Sequence, residues 1–327
     1  MGLSITTNTA HGKNARKPTG IIKLQATSPA KPKFQLRSID KHFWYIAPDG
    51  VTRLATSSDA TVIPKQTNTY IFNPSHFASE PYPSTMPRGG VWPPKAMEDV
   101  ICAVDDMEIG CVGEKCYTNE ICDDTACQHT LSNWTEATAD WEDHVELRTT
   151  ASRGIGVFTK HDFCSSDVLG WYAGELKTLD TCGDGNYLME MDIGALPADE
   201  SDPDADDEVE VGEIPEGAAT VFIDGEKWGN WTRFINHSCE PHAVFRIRRV
   251  GDMRIMTVEA IRDISAGEEL TVDYGDEYYG LKTLKVCCCG TKNCVGRKRR
   301  VLEEARVKEE GRKAKVKKCK RLSSSVE

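Results

Sequence analysis

The sequence predicts a mainly β fold, more fully a β-rich α+β fold, with zinc-bound cysteine flanks. Many short runs alternate apolar and polar residues or are rich in β-branched and aromatic residues, and turn residues separate them. Convincing helix patterns are few. Many of the 13 cysteines lie in two groups, within residues 102–127 and 287–294. In a reducing compartment, clustered cysteines are better explained as metal thiolates than as disulfides.

Length and composition predict one large core with disordered ends. A chain of 327 residues could hold two domains, but 39% hydrophobic residues is slightly low for packing along its whole length. The formal net charge of −11 is uneven, because acids concentrate within residues 199–216 and bases after residue 297. The N-terminus lacks the apolar core of a signal peptide, and no run approaches the roughly 20 apolar residues of a membrane span. We therefore expect a soluble, intracellular protein without a membrane partner.

The first third of the chain divides into three parts. Residues 1–40 are rich in Thr, Lys, Pro and Gly without apolar periodicity, which is typical of disorder. Residues 41–98 hold aromatic and β-branched runs that predict two or three short strands, followed by a Pro-rich linker. These strands form either a small subdomain or a wrap on the main domain. Residues 99–144 are rich in cysteine.

The cysteine-rich segment is a candidate zinc site. Its potential thiolate ligands, with His129 close behind them, are Cys102, Cys111, Cys116, Cys122 and Cys127. The spacings are not the close pairs of common zinc fingers, so four of these groups could hold one ion without the sequence saying which. Scattered buried or unpaired thiols are the alternative.

Residues 145–276 read as a series of short strands. Gly154 and Gly156 flank Ile155 at a turn into a strand, where a ligand could approach the backbone closely. Thr159 stands where a dinucleotide fingerprint needs its third glycine and no helix pattern follows, so a Rossmann fold is excluded. Residues 244–250 and 253–261 predict a hairpin, and residues 270–274 a strand. The acidic insertion, residues 195–219, is either a solvated surface loop or a patch that attracts a basic peptide.

The end of the chain is basic. Residues 300–327 alternate Glu with Lys and Arg in a predicted exposed helix and then become strongly basic. Such a tail serves nuclear import or nucleic-acid binding, or is merely solvated.

Five motifs in one chain, in this order, resemble those of the SET-domain protein lysine methyltransferases with a post-SET zinc motif. They are Arg153-Gly154-Ile155-Gly156-Val157-Phe158, Tyr172-Ala173-Gly174-Glu175, Arg233-Phe234-Ile235-Asn236-His237-Ser238-Cys239, Glu269-Leu270-Thr271-Val272-Asp273-Tyr274 and Cys287-x-Cys289-Gly290-x3-Cys294-x-Gly296. The resemblance covers about residues 145–297. The earlier cysteines occupy the place of the family's pre-SET or AWS segment but match no standard version of it.

The resemblance implies a SET-domain fold of small curved sheets with a knot-like core, over residues 145–276, and a post-SET zinc motif over residues 283–299. The implied activity is S-adenosyl-L-methionine-dependent methylation of a protein lysine, with a histone in nuclear chromatin as the substrate and the enzyme a monomer. A catalytically silent SET module that binds chromatin or a peptide is the alternative. A zinc-dependent DNA-binding protein is disfavoured, because no recognition helix follows the cysteines and the chain is acidic.

The resemblance also implies roles for particular residues. Tyr274 and Tyr187 would be catalytic, Tyr187 also contacting the cofactor. The remaining cofactor contacts would be Arg153, Gly154, Ile155, Gly156, Arg233, Asn236 and His237. A structural Zn²⁺ would bind Cys239, Cys287, Cys289 and Cys294. The substrate channel would be lined by Phe245, Val272 and Tyr278.

Three positions depart from the family pattern. His242 stands where asparagine is usual, and Val272 stands where many members have the aromatic residue that limits methyl addition, so Phe245 would take that role. No aromatic residue follows Cys294, so Tyr278 or Tyr279 would have to close the channel.

Overall fold

The computed structural model describes residues 41–57, 61–78, 93–103, 109–183, 185–194, 219–280, 283 and 285–323. The predicted disordered N-terminus, most of the Pro-rich linker and nearly all of the acidic insertion lie outside these ranges. Within the described residues most regular structure is short strands. They are β1 (Trp44–Ile46), β2 (Thr52–Leu54), β3 (Lys65–Gln66), β4 (Val145–Thr149), β5 (Ile155–Thr159), β6 (Val168–Trp171), β7 (Glu175–Lys177), β8 (Leu188–Gly194), β9 (Ala219–Asp224), β10 (Trp228–Gly229), β11 (Asn236–His237), β12 (Ala243–Val250), β13 (Met253–Ala260) and β14 (Glu269–Val272).

Four of the five α-helices in the described residues are short. They are α1 (Glu98–Ile101), α2 (Leu131–Ala137), α3 (Leu179–Cys182) and α4 (Asp276–Tyr279), with α5 (Val295–Ser323) much longer. Single 3-10 turns span Pro74–Phe77, Trp141–Asp143 and Trp231–Phe234. In the described part of the chain, no helix combines the length and apolar character needed to cross a membrane. The predicted mainly β class with small sheets is confirmed.

A six-stranded sheet has the order β11-β14-β5-β4-β1-β2. Its strands β5, β11 and β14 contain residues of the motifs found in the sequence. β4 and β5 form an antiparallel pair from Val145↔Thr159 to Thr149↔Ile155. β14 adds to β5, and β11 adds to β14 in parallel, which places Asn236 opposite Thr271. The glycine turn before β5, the Asn236 segment and the strand leading to Tyr274 thus meet at one side of the sheet.

The N-terminal segment joins this sheet as a wrap on the main domain. β1 and β2 form a hairpin, and β1 lies parallel to β4 through the pair Ile46↔Arg148. β3 pairs separately with β10. The β1–β2 hairpin therefore extends the sheet that carries the glycine turn.

The other two sheets are three-stranded, ordered β12-β13-β6 and β7-β9-β8. The predicted hairpin is confirmed, since β12 and β13 pair over their whole length from Ala243↔Ala260 to Val250↔Met253. Gly251 sits at its turn with a φ of 59°, and a Cβ there would lie 2.2 Å from the His129 carbonyl oxygen. Only glycine meets both conditions, because it alone has no Cβ and tolerates a positive φ.

Two buried arginines hold the cysteine-rich segment against the β12–β13 hairpin. Arg249 donates to the carbonyl oxygens of Ile109 (2.8 Å) and Asp124 (3.0 Å), and Arg254 donates to that of Cys102. Buried guanidinium groups are tolerated only when their donors are paired. These bonds therefore fix the cysteine-rich segment to the β12–β13 hairpin.

The long helix α5 begins directly after the last cysteine of the C-terminal group. The described side chains from Val301 to Lys313 are exposed. Ion pairs such as Glu303 with Arg306 (2.9 Å) and Glu309 with Lys313 (3.5 Å) follow helical spacing. The exposed helix expected in the basic tail is thus present over the described residues.

Candidate active site

The glycine turn before β5 is tied to the Asn236 segment by a half-buried carboxylate. Glu269 accepts hydrogen bonds from Arg153 (2.5 Å) and from Asn236 Nδ2 (3.0 Å). Asn236 Nδ2 also donates to the carbonyl oxygen of Ile155 (3.1 Å), and Arg153 donates to that of His237 (2.9 Å). A paired carboxylate with little exposure can orient both partners firmly. Glu269 thus fixes the geometry of three positions expected to bind the cofactor.

Gly156 is required by the same arrangement. A Cβ at this position would lie 2.6 Å from Glu269 Oε1 and 3.0 Å from Asn236 Nδ2. Separations this short force a neighbour to move. Any larger residue would therefore displace the Asn236 side chain, although Gly156 does not itself line a cavity.

Two cavities meet at Tyr274. The Phe245 cavity has a volume of about 500 Å³, and the residues that line it but not the other cavity include Tyr172, Ile235 and Phe245. The Asn236 cavity has a volume of about 470 Å³, and the residues that line only this one of the two include Arg153, Ile155 and Asn236. Both cavities are lined by Asn186, Tyr187, Arg233, Tyr274 and Tyr278. The expected channel residues and cofactor residues thus lie in adjoining spaces.

The Tyr274 hydroxyl is oriented by one hydrogen bond. It donates its only hydrogen to the carbonyl oxygen of Ile235 at 2.5 Å. Burial raises the pKa of the phenol above its ordinary value, and nearby tyrosines add to the effect. The neutral hydroxyl therefore offers only its oxygen lone pairs to the cavities.

Aromatic side chains surround Tyr274. Tyr278 meets its ring edge-on at 5.2 Å, and Tyr279 stacks at 6.1 Å. Tyr278 lines both of these cavities, whereas of the two Tyr279 lines the Asn236 cavity alone. Tyr278 is therefore better placed to close a channel between them. The Lys285 ammonium lies 3.4 Å from the centre of the Tyr278 ring, which holds that ring from outside.

Arg233 lies between the cavities with an unpaired donor. Its Nε donates to the Gly225 carbonyl oxygen (2.7 Å), and its guanidinium lies 4.0 Å from the centre of the Tyr187 ring. Burial lowers the pKa of the guanidinium, while the neighbouring tyrosines oppose that shift. Its Nη1 is buried and has no hydrogen-bond partner within the described structure. An anionic or carbonyl oxygen in the cavity would satisfy this donor.

Tyr172 lines the Phe245 cavity although the sequence reasoning gave it no role. Its hydroxyl donates to the Tyr187 carbonyl oxygen at 2.7 Å, and its ring meets Phe245 edge-on at 5.8 Å. The signal was available, because Tyr172 belongs to one of the motifs that carry the resemblance. Glu269 was missed in the same way at the start of another motif.

Val272 was expected to line the channel, and the structure corrects this. It is fully buried on β14, pairs with His237 of β11, and lines neither cavity. Both faces of β14 are covered, so its short side chain packs into the core instead. Phe245 lies in the cavity as expected.

The C-terminal cysteines form a compact group with Cys239. One ligand atom from each of Cys239, Cys287, Cys289 and Cys294 lies within 4.8 Å of the others. Cys287 and Cys294 are buried, and the backbone amide of Val295 donates to Cys239 Sγ at 3.4 Å. Burial raises the pKa of Cys289, but hydrogen bonds from Cys239 and Thr291 outweigh this effect and lower the pKa to about 6. Four thiolates at this spacing suit a closed tetrahedral zinc site.

Gly296 lets the chain pass close to this group. A Cβ at Gly296 would lie 2.2 Å from the Cys287 carbonyl oxygen, so the last glycine of the motif is needed for the closed arrangement.

His237 joins the cysteine group to Tyr274. Its Nδ1 lies 3.1 Å from the backbone nitrogen of Tyr274, and its Nε2 lies 3.3 Å from Cys239 Sγ. An amide N–H can only donate, so Nδ1 accepts from Tyr274. Nδ1 also lies 3.3 Å from Asp273 Oδ1. His237 lines a third cavity, of about 580 Å³, together with Cys239 and Tyr279, and not the Asn236 cavity.

In the earlier cysteine segment the structure brings only part of the predicted set together. Cys111, Cys127 and His129 offer ligand atoms within 4.8 Å of one another. The Arg249 guanidinium lies 3.5 Å from Cys127 Sγ, and the Gly251 amide donates to Cys111 Sγ at 3.4 Å. Both donors would stabilise thiolates.

The other three cysteines of this segment lie outside that group, although the sequence left open which four of the candidates would hold one ion. Cys102 forms a backbone bridge with Met253, and Cys122 pairs with Cys111 through backbone atoms. The Cys116 thiol donates to the Val168 carbonyl oxygen at 3.3 Å, and burial raises its pKa. The Cys116 sulfur is thus bonded away from the group formed by Cys111, Cys127 and His129.

Comparison with known proteins decides the family of this site. Residues 154–275 match the family model described as the SET domain. The chain contains a SET domain. The match begins at the glycine turn and ends one residue after Tyr274. It includes four of the five residues that line both cavities, namely Asn186, Tyr187, Arg233 and Tyr274, whereas Tyr278 lies beyond it. The C-terminal cysteines lie beyond it.

Relatives of this SET domain are named as histone-lysine N-methyltransferases. A Candida albicans protein, named as H3 lysine-36 specific, is 46% identical over 23% of this chain and 9% of its own length. A Chaetomium globosum protein of the same name is 29% identical over 61% of this chain and 19% of its own. A Saccharomyces cerevisiae protein, named as H3 lysine-4 specific, is 44% identical over 23% of this chain and 7% of its own. The chain thus spans less than a fifth of each of these relatives.

Proposed function

We propose that this protein transfers a methyl group from S-adenosyl-L-methionine to the side-chain amine of a lysine in another protein, a histone in nuclear chromatin. The observation that carries the proposal is the meeting of the Asn236 and Phe245 cavities at Tyr274, whose hydroxyl can only accept there. One cavity would hold the methyl donor and the other the acceptor. The names of the relatives support the same activity.

The residues of the Asn236 cavity suit this cofactor. The unpaired Nη1 of Arg233 is a buried donor that the carboxylate of an amino-acid group would satisfy. Asn236 and the backbone around Gly154 and Ile155 offer further polar contacts. When bound, S-adenosylmethionine supplies an electrophilic methyl group on a positively charged sulfur.

The Phe245 cavity suits a lysine side chain. The rings of Tyr172, Tyr187, Phe245 and Tyr278 form walls that contact methylene groups and exclude water. The nucleophile must be the neutral amine, but free lysine has a pKa of about 10.4. Loss of water lowers the pKa of an amine, because the charged form loses its solvation. The cavity therefore favours the reactive form as well as its alignment.

Tyr274 would position the two reacting groups. Its oxygen lone pairs can accept an N–H of the amine and weak C–H contacts from the methyl group. Its bond to Ile235 fixes the direction of those lone pairs before the substrate arrives. Alignment of this kind is the main demand of a direct displacement. The lysine ammonium would lose one proton to solvent before attack, and transfer would leave a methylammonium on the lysine and neutral S-adenosylhomocysteine, whose bond to the methyl group has broken.

We further propose that Cys239, Cys287, Cys289 and Cys294 hold a structural Zn²⁺. Such a site has no open position and serves to tie α5 to the Asn236 segment. Cys111, Cys127 and His129 would hold a second ion that fixes the cysteine-rich segment. We also propose that the protein acts as a monomer.

The test uses the purified full chain, tritium-labelled S-adenosylmethionine and a mixture of core histones. The wild type is expected to label a histone. Tyr274→Phe should lower kcat about 5- to 13-fold, because loss of one positioning hydrogen bond costs about 1–1.5 kcal/mol. Tyr117→Phe is the matched control, since the Tyr117 hydroxyl is buried without a hydrogen-bond partner and lines neither cavity.

Two results would count against the proposal. If the wild type binds S-adenosylmethionine but labels no protein, the silent peptide-binding module becomes the better explanation. If Tyr274→Phe transfers methyl groups as fast as the Tyr117→Phe control, Tyr274 does not have the assigned role.

A further inference from the structure

Three residues from the N-terminal segment line the Asn236 cavity. They are Tyr45, Thr56 and Ser57, and they lie about a hundred residues before the SET-domain match begins. The motifs that carry the family resemblance give them no role. Because they line the same cavity as Arg153 and Ile155, two distant parts of the chain form this cavity together.

The β1–β2 hairpin that presents Tyr45 is anchored firmly. Phe43 is fully buried, and its ring meets that of Phe234 edge-on at 5.0 Å. Phe234 lies between Arg233 and Asn236 and itself lines the cavity. The backbone amide of Ala55 donates to the Phe43 carbonyl oxygen at 2.9 Å, which closes the hairpin. The hairpin is therefore fixed relative to the residues expected to bind the cofactor.

Alternation along β1 directs Tyr45 toward the site. Trp44 is 57% exposed, whereas the next residue, Tyr45, is half-buried and packs against the core that includes Phe43 and Phe234. Successive side chains of a strand point to opposite faces. Tyr45 therefore presents its ring to the cavity while Trp44 faces solvent.

The chain after β2 is held in place at the same wall. The Ser57 amide donates to the Val62 carbonyl oxygen at 2.7 Å, and the Val62 amide donates to Ser57 Oγ at 3.0 Å. This pair of bonds fixes Ser57 and, beside it, Thr56. The wall thus combines an aromatic ring with hydroxyl groups, which suits a ligand that has both apolar and polar parts.

We propose that the β1–β2 hairpin is part of the cofactor site and that Tyr45 contacts bound S-adenosylmethionine, with Thr56 beside it. This inference rests on the proposed function, because it assigns the ligand of the Asn236 cavity. It adds a binding residue outside the SET domain to those within it. Neither Tyr45 nor Thr56 lines the Phe245 cavity, so the histone side should be unaffected.

The experiment is calorimetric titration of the full chain with S-adenosylhomocysteine, together with steady-state kinetics. Tyr45→Ala should raise the Kd about 3- to 10-fold, which is the usual worth of one aromatic contact. Tyr45→Phe should stay within about twofold of wild type, because the ring remains. The KM for histone and the kcat at saturating S-adenosylmethionine should be unchanged.

Trp44→Ala is the matched control, since it removes a larger ring from the exposed face of the same strand. If Tyr45→Ala does not fold, Tyr45→Leu keeps the apolar packing and should still weaken binding. If Tyr45→Ala or Tyr45→Leu folds and its Kd is unchanged, while the wild-type protein transfers methyl groups, the inference alone is overturned. A wild type that does not bind S-adenosylhomocysteine would overturn the proposed function and this inference together.

Discussion

His237 lies at the point where the cysteine group could control the active site. Its two ring nitrogens face different partners, the Tyr274 amide at 3.1 Å and Cys239 Sγ at 3.3 Å. Replacing it with alanine removes both contacts at a residue that is only 5% exposed. We predict that His237→Ala destabilises the fold and displaces Tyr274.

The size of the effect follows from the two bonds. A buried amide left without its acceptor costs about 1–3 kcal/mol, and a hydrogen bond to a thiolate contributes about 1.5–3 kcal/mol. Together they lower the free energy of unfolding by roughly 3–5 kcal/mol, which corresponds to a fall in Tm of roughly 6–20 °C for a domain of this size. A shift of about 1 Å in Tyr274 would lower kcat about 100-fold.

Two conservative variants separate the contacts. In His237→Asn, Oδ1 takes the place of Nδ1 and still accepts from the Tyr274 amide, but nothing reaches Cys239. In His237→Gln, the longer amide can donate to Cys239 Sγ, but the acceptor for Tyr274 is lost. We expect the Asn variant to keep more of kcat and the Gln variant to keep its zinc longer in a chelator.

The assays are thermal unfolding, methyl transfer to histones and zinc release into a chromogenic chelator. His161→Asn is the control, because His161 is exposed and lines none of the three cavities. The reasoning is refuted if the Gln variant retains kcat while the Asn variant loses it, or if both behave like the control.

Two further predictions concern zinc and pH. Cys294→Ser should lower the zinc content by one ion per chain and reduce activity. Cys288 is exposed and lies beside the group, so Cys288→Ser should change neither. Zinc is measured by atomic emission, and equal zinc in both variants would contradict the four-cysteine site. The pKa of His242 is lowered below 6.5, mainly by burial and to a smaller extent by repulsion from Arg262. The unfolded chain then binds a proton that the folded chain does not, so the free energy of unfolding falls as pH drops below about 6.5. His242→Asn should flatten that fall in urea titrations between about pH 7.5 and 5, and identical slopes would exclude His242 as a source.

Much of the strand content was predictable because it depends on local pattern. The β12–β13 hairpin alternates on both sides of Gly251-Asp252, and its pairing follows from that turn. The order of the motifs also predicted that Asn236 and Tyr274 share a site. That prediction depended on resemblance, since the parallel pairing of β11 with β14 joins segments more than thirty residues apart. Local periodicity carries no information on such a pairing.

The ligands of the earlier cysteine group could not be predicted for a related reason. The spacings of Cys111, Cys127 and His129 match no common zinc motif. Their thiol environment is set by Arg249 and Gly251, which come from the hairpin more than a hundred residues later. Cys116 looks equivalent in the sequence, but in the fold its thiol donates to the Val168 carbonyl oxygen and lies outside the group.

Val272 and Tyr45 show opposite limits of the same kind. β14 is covered on both faces, so alternation could not say whether Val272 faces the channel or the core, and it faces the core. Alternation along β1 does separate Tyr45 from Trp44, but nothing local indicates which surface that face will meet. The answer depends on long-range contacts, namely the parallel pair Ile46↔Arg148 beside β4 and the packing of Phe43 against Phe234. Because these contacts place the hairpin at a wall of the Asn236 cavity, loss of the hairpin should weaken cofactor binding although every residue of the SET-domain match is retained.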